Sequence, residues 1–169
     1  MKINVESFKV KDWEELQTGI ILAENSQWLL VKHIPVDFII DGYCLYNKKY
    51  IANRSSGKDE KRIERVTRLK GAVIDLPTDF ELTDTLGLLK WSEEKFGLFS
   101  FQEQDENAVF FGKVNRITSE AMLVIDSIFS DGKVETDYDY EFDLNDIHAI
   151  AFGNDYFESI RLLWLDENK

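Results

Sequence analysis

The stretch Gly19–Ile51 opens with Gly19-Ile20-Ile21-Leu22, runs through the polar turn Glu24-Asn25-Ser26-Gln27, and enters the apolar segment Trp28-Leu29-Leu30-Val31. It then passes Asp41-Gly42 to Tyr43-Cys44-Leu45-Tyr46 and ends at Ile51. A shorter echo returns at Gly112–Ile147. At one constant offset Gly19 falls on Gly112, Ile21 on Val114, and Leu29-Leu30-Val31 on Met122-Leu123-Val124. At an offset three residues longer, Tyr46 falls on Phe142 and Ile51 on Ile147. Each copy therefore holds a glycine, an apolar residue two places on, a polar turn, an apolar triplet, a further strand, a short turn and an isoleucine-led closing strand. A glycine early in a bent strand permits the close backbone approach that bending demands.

Working outward, the chain reads as two small β units with helices between them. Ile3 and Val5 alternate as in a strand, whereas Phe8, Trp13 and Leu16 would suit a helical face, so residues 1–17 stay open between the two. Phe38-Ile39-Ile40 and Tyr43–Tyr46 flank the tight-turn dipeptide Asp41-Gly42. Ser56 followed by Asp59 resembles a helix start, with Gly71 as the stop and Ile63, Val66 and Leu69 as a narrow apolar stripe. Thr83-Asp84 opens a second helix that Gly97 closes. Strands follow at Leu98–Gln102, Ala108–Asn115, Ala121–Ile128, Val134–Phe142 and Ile147–Phe152. The tail has Tyr156, Ile160 and Leu163 at helical spacing, yet Ile160, Leu162 and Trp164 would also alternate as in a strand, so residues 156–165 stay open between the two. The expected fold class is α+β, mainly β, with residues 1–70 forming a β unit followed by a basic helix and 71–169 a helix followed by a second β unit.

The order of elements in each copy resembles the Sm-like version of the SH3-like small β-barrel, which implies two such barrels in tandem joined by a helical segment. Members of that family commonly form rings and bind single-stranded RNA, and the resemblance carries that implication here. In the family an aspartate usually holds the first turn, and an asparagine in the next strand helps contact the base. Those places are taken here by Asn25 and Leu29 in the first copy and by Thr118 and Met122 in the second, and the usual Arg-Gly pair is missing.

Composition bounds the rest. The 169 residues are 44% hydrophobic with only 2 prolines, enough to build a packed core and far from the composition of a disordered chain. No apolar run approaches bilayer length, and the N-terminus lacks a secretory pattern, so a cytoplasmic protein without membrane contact is expected. A lone cysteine, Cys44, in an apolar run reads as a small buried hydrophobe. His33 and His148 have no partner at metal-ligand spacing, and no nucleophile-elbow or phosphate-loop string occurs, so no enzyme activity, cofactor or metal is expected.

Charge supplies the two candidate surfaces. The net charge is −12, yet residues 48–70 hold nine of the 20 Lys and Arg residues against three acids, a local +6 that leaves −18 elsewhere. In this island Lys58, Lys61, Arg62, Arg65 and Arg68 could follow a phosphate backbone, or could pair with Asp59, Glu60 and Glu64 along the helix. Opposite in sign, Asp137-Tyr138-Asp139-Tyr140-Glu141-Phe142-Asp143 alternates. Period two puts Asp137, Asp139, Glu141 and Asp143 on one strand face and the aromatics on the other. The carboxylates could receive a basic protein partner, or could keep an edge strand solvated and unpaired. They do not form a calcium-hand loop, whose sixth position would be Phe142 instead of glycine. The functional expectation is a binding protein acting through protein–protein contacts, of the kind an immunity or antitoxin-like protein makes with a basic toxin. An RNA-binding module using residues 48–70 is the alternative.

Overall fold

The computed structural model describes residues 2–169. Ten strands form one antiparallel sheet. In chain order they are β1 (Val5–Val10), β2 (Gln17–Glu24), β3 (Trp28–His33), β4 (Tyr43–Asn47), β5 (Ile51–Ser55), β6 (Phe99–Gln102), β7 (Val109–Ser119), β8 (Met122–Ile128), β9 (Val134–Asp143) and β10 (Ala149–Phe152). Three helices accompany them: α1 (Lys58–Leu69), α2 (Thr85–Phe96) and α3 (Asp155–Glu167). Across the sheet the order is β5-β1-β2-β3-β4-β10-β6-β7-β8-β9. Each half thus lays down its strands in the order fifth, first, second, third, fourth, and β4 of the first half pairs with β10 of the second.

The echo in the sequence is an echo in backbone detail. The β2–β3 register slips between Ile21 and Ala23, and the β7–β8 register slips between Val114 and Arg116, the same place in each copy. Such a slip inserts an extra residue and bends the strand. A single 3-10 turn precedes each closing strand, at Lys48–Tyr50 and Leu144–Asp146. In both the residue before the turn accepts a backbone N–H two residues on: Asn47 from Lys49 at 3.3 Å and Asp143 from Asn145 at 2.8 Å.

The main core spans both halves. Trp28, Leu30 and Leu45 meet Phe99, Phe101, Leu123, Ile125, Ile150 and Phe152, closed over by Leu88 and Leu89 of α2 and by Phe157 and Ile160 of α3. Both helices start on an Asx cap, since Asp84 accepts from Gly87 N and Asn154 from Phe157 N, each at 2.8 Å. A second cluster on the opposite sheet face joins Phe8, Val10, Trp13, Leu29, Val31, Cys44, Tyr46 and Ala149.

Several expectations are settled or revised. The ambiguous N-terminus is the strand β1, and its Val5, Phe8 and Val10 are buried while Leu16 is left exposed. The tail, which its spacing leaves open between helix and strand, is the helix α3. Phe38-Ile39-Ile40 does not extend into a strand; only an isolated bridge ties Val36 to Ile39, because the loop must turn back at Asp41-Gly42. Leu69 does not join the helical stripe and is 77% exposed, whereas Glu64 and Thr67 are the buried positions of α1. Hydrogen bonding makes those buried polar positions possible: Glu64 Oε1 accepts the N–H of Val5 on β1 at 2.9 Å, and the Thr67 hydroxyl is satisfied within the helix by Ile63 O at 2.8 Å. No helix among the described residues is long and apolar enough to cross a membrane.

Candidate functional site

The basic island divides once its partners are seen. Arg54 is consumed internally: it reaches Glu6 at 2.7 and 3.0 Å and Glu24 at 3.0 Å, tying β5 to β1 and β2. The Arg54 hydrogen bond holds the Glu24 carboxyl below its usual range, and Lys48, at 3.0 Å from the same carboxylate, adds to the effect. On α1 Glu60 and Glu64 face inward, while Asp59 is exposed. Glu60 accepts from Gly57 N and Ser7 Oγ, and Glu64 accepts from β1, so the helix docks through its carboxylates and turns its cations out. Lys61 makes a 3.4 Å contact with Glu64, and Arg62 a 3.7 Å contact with Asp59. Lys58, Arg65 and Arg68 are exposed and make no ion pair among the described residues.

The acidic alternation lies on β9, the outermost strand of the sheet. Its period is broken: Ile125 pairs with Tyr140 but Ser127 pairs with Glu135, so residues 136–139 bulge out of the ladder. Tyr140 and Phe142 still pack on the core, while Tyr138 is 64% exposed. Asp137 and Glu141 face solvent. Asp139 is held by Arg116 at 2.5 Å, and Asp143 caps the 3-10 turn. The four carboxylates thus share an edge but not a role.

The two charged surfaces stand at opposite margins of the sheet, and the groups between them form the seam of the two halves. There Trp13 Nε1 donates to Glu103 O at 2.9 Å, Tyr50 Oη to Asn145 O at 2.6 Å, and Asn47 Nδ2 to Ile147 O at 3.1 Å. His148 stacks on Tyr50 with ring centroids 3.6 Å apart, and Trp13 lies parallel to it at 6.3 Å. The imidazole Nδ1 sits 2.7 Å from Asp146 O. A carbonyl only accepts, so Nδ1 carries the proton and Nε2 is left a buried acceptor without a partner. Burial holds the His148 pKa below its usual value, although Asp146 and Asp12 pull the other way.

Cys44 is buried in the second core cluster, and burial pushes its thiol up to about 12, where no thiolate forms at neutral pH. His33 is also lowered by burial, against the charge of Asp41. Among the described residues no group of three or more His, Cys, Asp or Glu side chains is placed to hold a metal ion. The seam was not legible as a site in the sequence. Trp13, Tyr50, Glu103 and His148 come from four separate segments, and no local pattern in the sequence brings them together. Compared with protein-family models, curated proteins and solved structures, the chain matches none of them.

Proposed function

We propose that each half is an Sm-like small barrel, and that the protein is a non-catalytic binding protein for a basic protein partner. The tandem-barrel reading draws support from the repeated strand order, the repeated register slip and the repeated 3-10 turn. The observation that carries the functional reading is the segregation of charge along the sheet. Residues 71–169 hold 22 of the 32 acids but 7 of the 20 bases, a local net of −15, and they end the sheet on the free edge of β9. A field of one sign over half a molecule steers an oppositely charged partner and repels polyanions. Purified protein used as bait, beside an Asp137→Lys/Glu141→Lys variant, tests this. Wild type should retain basic proteins in a salt-sensitive way, and the variant should lose them. Recovery of the same proteins by both baits overturns the reading.

A second reading is favoured by the three unpaired cations of α1. Lys58, Arg65 and Arg68 project from one exposed face and would neutralise phosphates of a single-stranded RNA. Filter binding at low salt decides it. Retained RNA that is released when Lys58, Arg65 and Arg68 become glutamate supports it, and no retention, or retention unchanged by those substitutions, ends it.

A further inference from the structure

A cleft of about 530 Å³ opens where the two halves join, on the sheet face that carries Tyr46 and Ala151. That volume lies in the range of small-molecule sites, of order 300–1,000 Å³. Three features of its lining point to one ligand chemistry.

The first is the direction of its hydrogen bonds. Along the floor Tyr46 Oη donates to Gln17 Oε1 at 2.9 Å, and Ser100 Oγ to Ala151 O at 2.7 Å. Gln102 Nε2 donates to Glu106 O at 2.7 Å, and Gln17 Nε2 to Glu15 O at 3.1 Å. Tyr46 and Ser100 spend their only proton on the protein, so these two hydroxyls can only accept, whereas Gln17 and Gln102 each commit one amide N–H and keep a second, as His33 and Asn154 keep an N–H of their own. The second is charge. Glu15, Asp41 and Glu106 line the cleft, and among the described residues no lysine or arginine does. Asp41 and Glu106 each commit one oxygen to a backbone N–H, of Asp155 at 2.9 Å and Glu14 at 2.6 Å, and keep the other. The third is apolar surface out of place. Leu16, Val109 and Tyr156 are 65%, 42% and 55% exposed, and all three line this one cleft. Large apolar side chains grouped in an open concavity mark a binding surface.

From these features we infer that the cleft binds a small organic cation, an amine or guanidine carried on an apolar body. The ammonium or guanidinium group donates to the free carboxylate oxygens of Glu15, Asp41 and Glu106 and to the Gln102 amide oxygen, while the apolar body covers Leu16, Val109 and Tyr156. The site is separate from the β9 edge and does not depend on the partner proposed above.

The test is calorimetric titration of the full chain with 2-phenylethylamine, with neutral 2-phenylethanol and anionic 3-phenylpropionate as matched probes. The amine should saturate with a Kd of about 1 mM or tighter, consistent with so small a ligand, and at least about tenfold below that of the alcohol, a difference of about 1.4 kcal/mol. The anion should not bind. Glu15→Gln, at an exposed residue whose carboxylate makes no contact within the fold, should weaken the amine severalfold with the melting temperature unchanged. Glu15→Gln/Asp41→Asn/Glu106→Gln should abolish saturation, and Asp137→Asn/Glu141→Gln should leave it as in wild type. The inference is overturned by no saturation up to about 10 mM amine, by an alcohol that binds as tightly as the amine, or by Glu15→Gln binding unchanged. Equal weakening from the β9 variant also overturns it, since that is the signature of a diffuse counterion.

Discussion

The fourth strand of each half occupies the same place in the repeat, and the two could hardly differ more. β4 reads Tyr-Cys-Leu-Tyr-Asn, carries no charge, and is flanked by β3 and β10 with four of its five residues buried. β9 is 10 residues long, holds five carboxylates, bulges at its centre and among the described residues has β8 as its only neighbour. The fifth strands differ in the reverse sense: β10, Ala-Ile-Ala-Phe, lies between β4 and β6, whereas β5, Ile-Ala-Asn-Arg-Ser, is the other edge. Position in the repeat sets backbone geometry, and position in the sheet sets side-chain chemistry. Strands paired on both sides and buried on both faces read as apolar runs, and edges take charge and irregularity to discourage further pairing.

The sharpest way to probe that equivalence is at Gly19 and Gly112, which hold the same place in β2 and β7. A Cβ at Gly19 would lie 2.5 Å from Val31 Cγ2, 2.7 Å from Val31 Cβ and 2.8 Å from Lys32 O. At Gly112 it would meet Asp126 O and Ile125 Cδ1, each at 2.9 Å. A backbone carbonyl stands in the way at both sites, but at Gly19 the stem of a branched valine adds a closer clash that cannot swing aside, whereas at Gly112 the second contact is the tip of Ile125, which can. Gly19→Ala should cost about 3 kcal/mol and Gly112→Ala about 1–2 kcal/mol, read from urea unfolding. Equal costs would break the comparison at its root.

Next in size is the contrast between two arginines. Arg54 bridges Glu6 and Glu24 with 30% of its side chain exposed, whereas Arg116 reaches only Asp139, and both members of that pair are about half exposed or more. Solvent screening and side-chain entropy leave the exposed pair little net value. Arg54→Ala should lower stability by about 1–2 kcal/mol, and Arg116→Ala by less than about 0.5 kcal/mol. Thermal unfolding at low and high salt checks both.

A smaller effect comes from the seam. Because burial lowers the His148 pKa in the folded protein, the unfolded chain binds more protons as the solution acidifies. Stability is therefore complete above the unfolded value of about 6.5 and falls as pH drops through it toward the lower folded value. His33, shifted the same way, adds to the slope, and Glu103, raised by burial, opposes it at lower pH. His148→Phe keeps a ring on Tyr50 but removes the titration, so its melting temperature should fall less steeply between about pH 7.5 and 5.5 than that of wild type. Parallel slopes would remove His148 as the cause.

The same contrasts explain what could be read beforehand. The repeat was legible because glycine, the apolar triplet and the closing isoleucine answer to local backbone needs that both copies share. β9 was legible as a strand but not as a bulged one, since alternation in Asp137–Asp143 says nothing of the partner's register. Glu64 and Thr67 were hidden because their burial follows from the docking of α1 on β1, a contact 59 residues away for the Val5–Glu64 bond. The cleft was hidden for the same reason, its lining being drawn from both halves. Helix faces and strand periods are properties of segments. Seams are properties of the assembled sheet.

The smallest effect on stability, and the most telling for the comparison, lies on β9. If its carboxylates and bulge keep the edge free, they contribute nothing to the fold of the single chain, and exposed Asp137 and Glu141 should each be replaceable within about 0.5 kcal/mol. Their effect appears only between chains. An edge without charge offers its unpaired N–H and C=O groups to any strand, and β5, at the opposite margin, leaves a row of its own. Joining β9 of one chain to β5 of another would repeat the β4–β10 pairing inside each molecule, a head-to-tail contact with no built-in limit unless its rotation closes a ring. Asp137→Thr/Asp139→Thr/Glu141→Thr should therefore melt like wild type at low concentration yet sediment as larger species as concentration rises. Adding a lysine at Asn53, on β5, should reverse the association if β5 receives the bared strand. A triple variant that stays at the wild-type size at every concentration would show that the bulge alone guards the edge, leaving the carboxylates free for a partner.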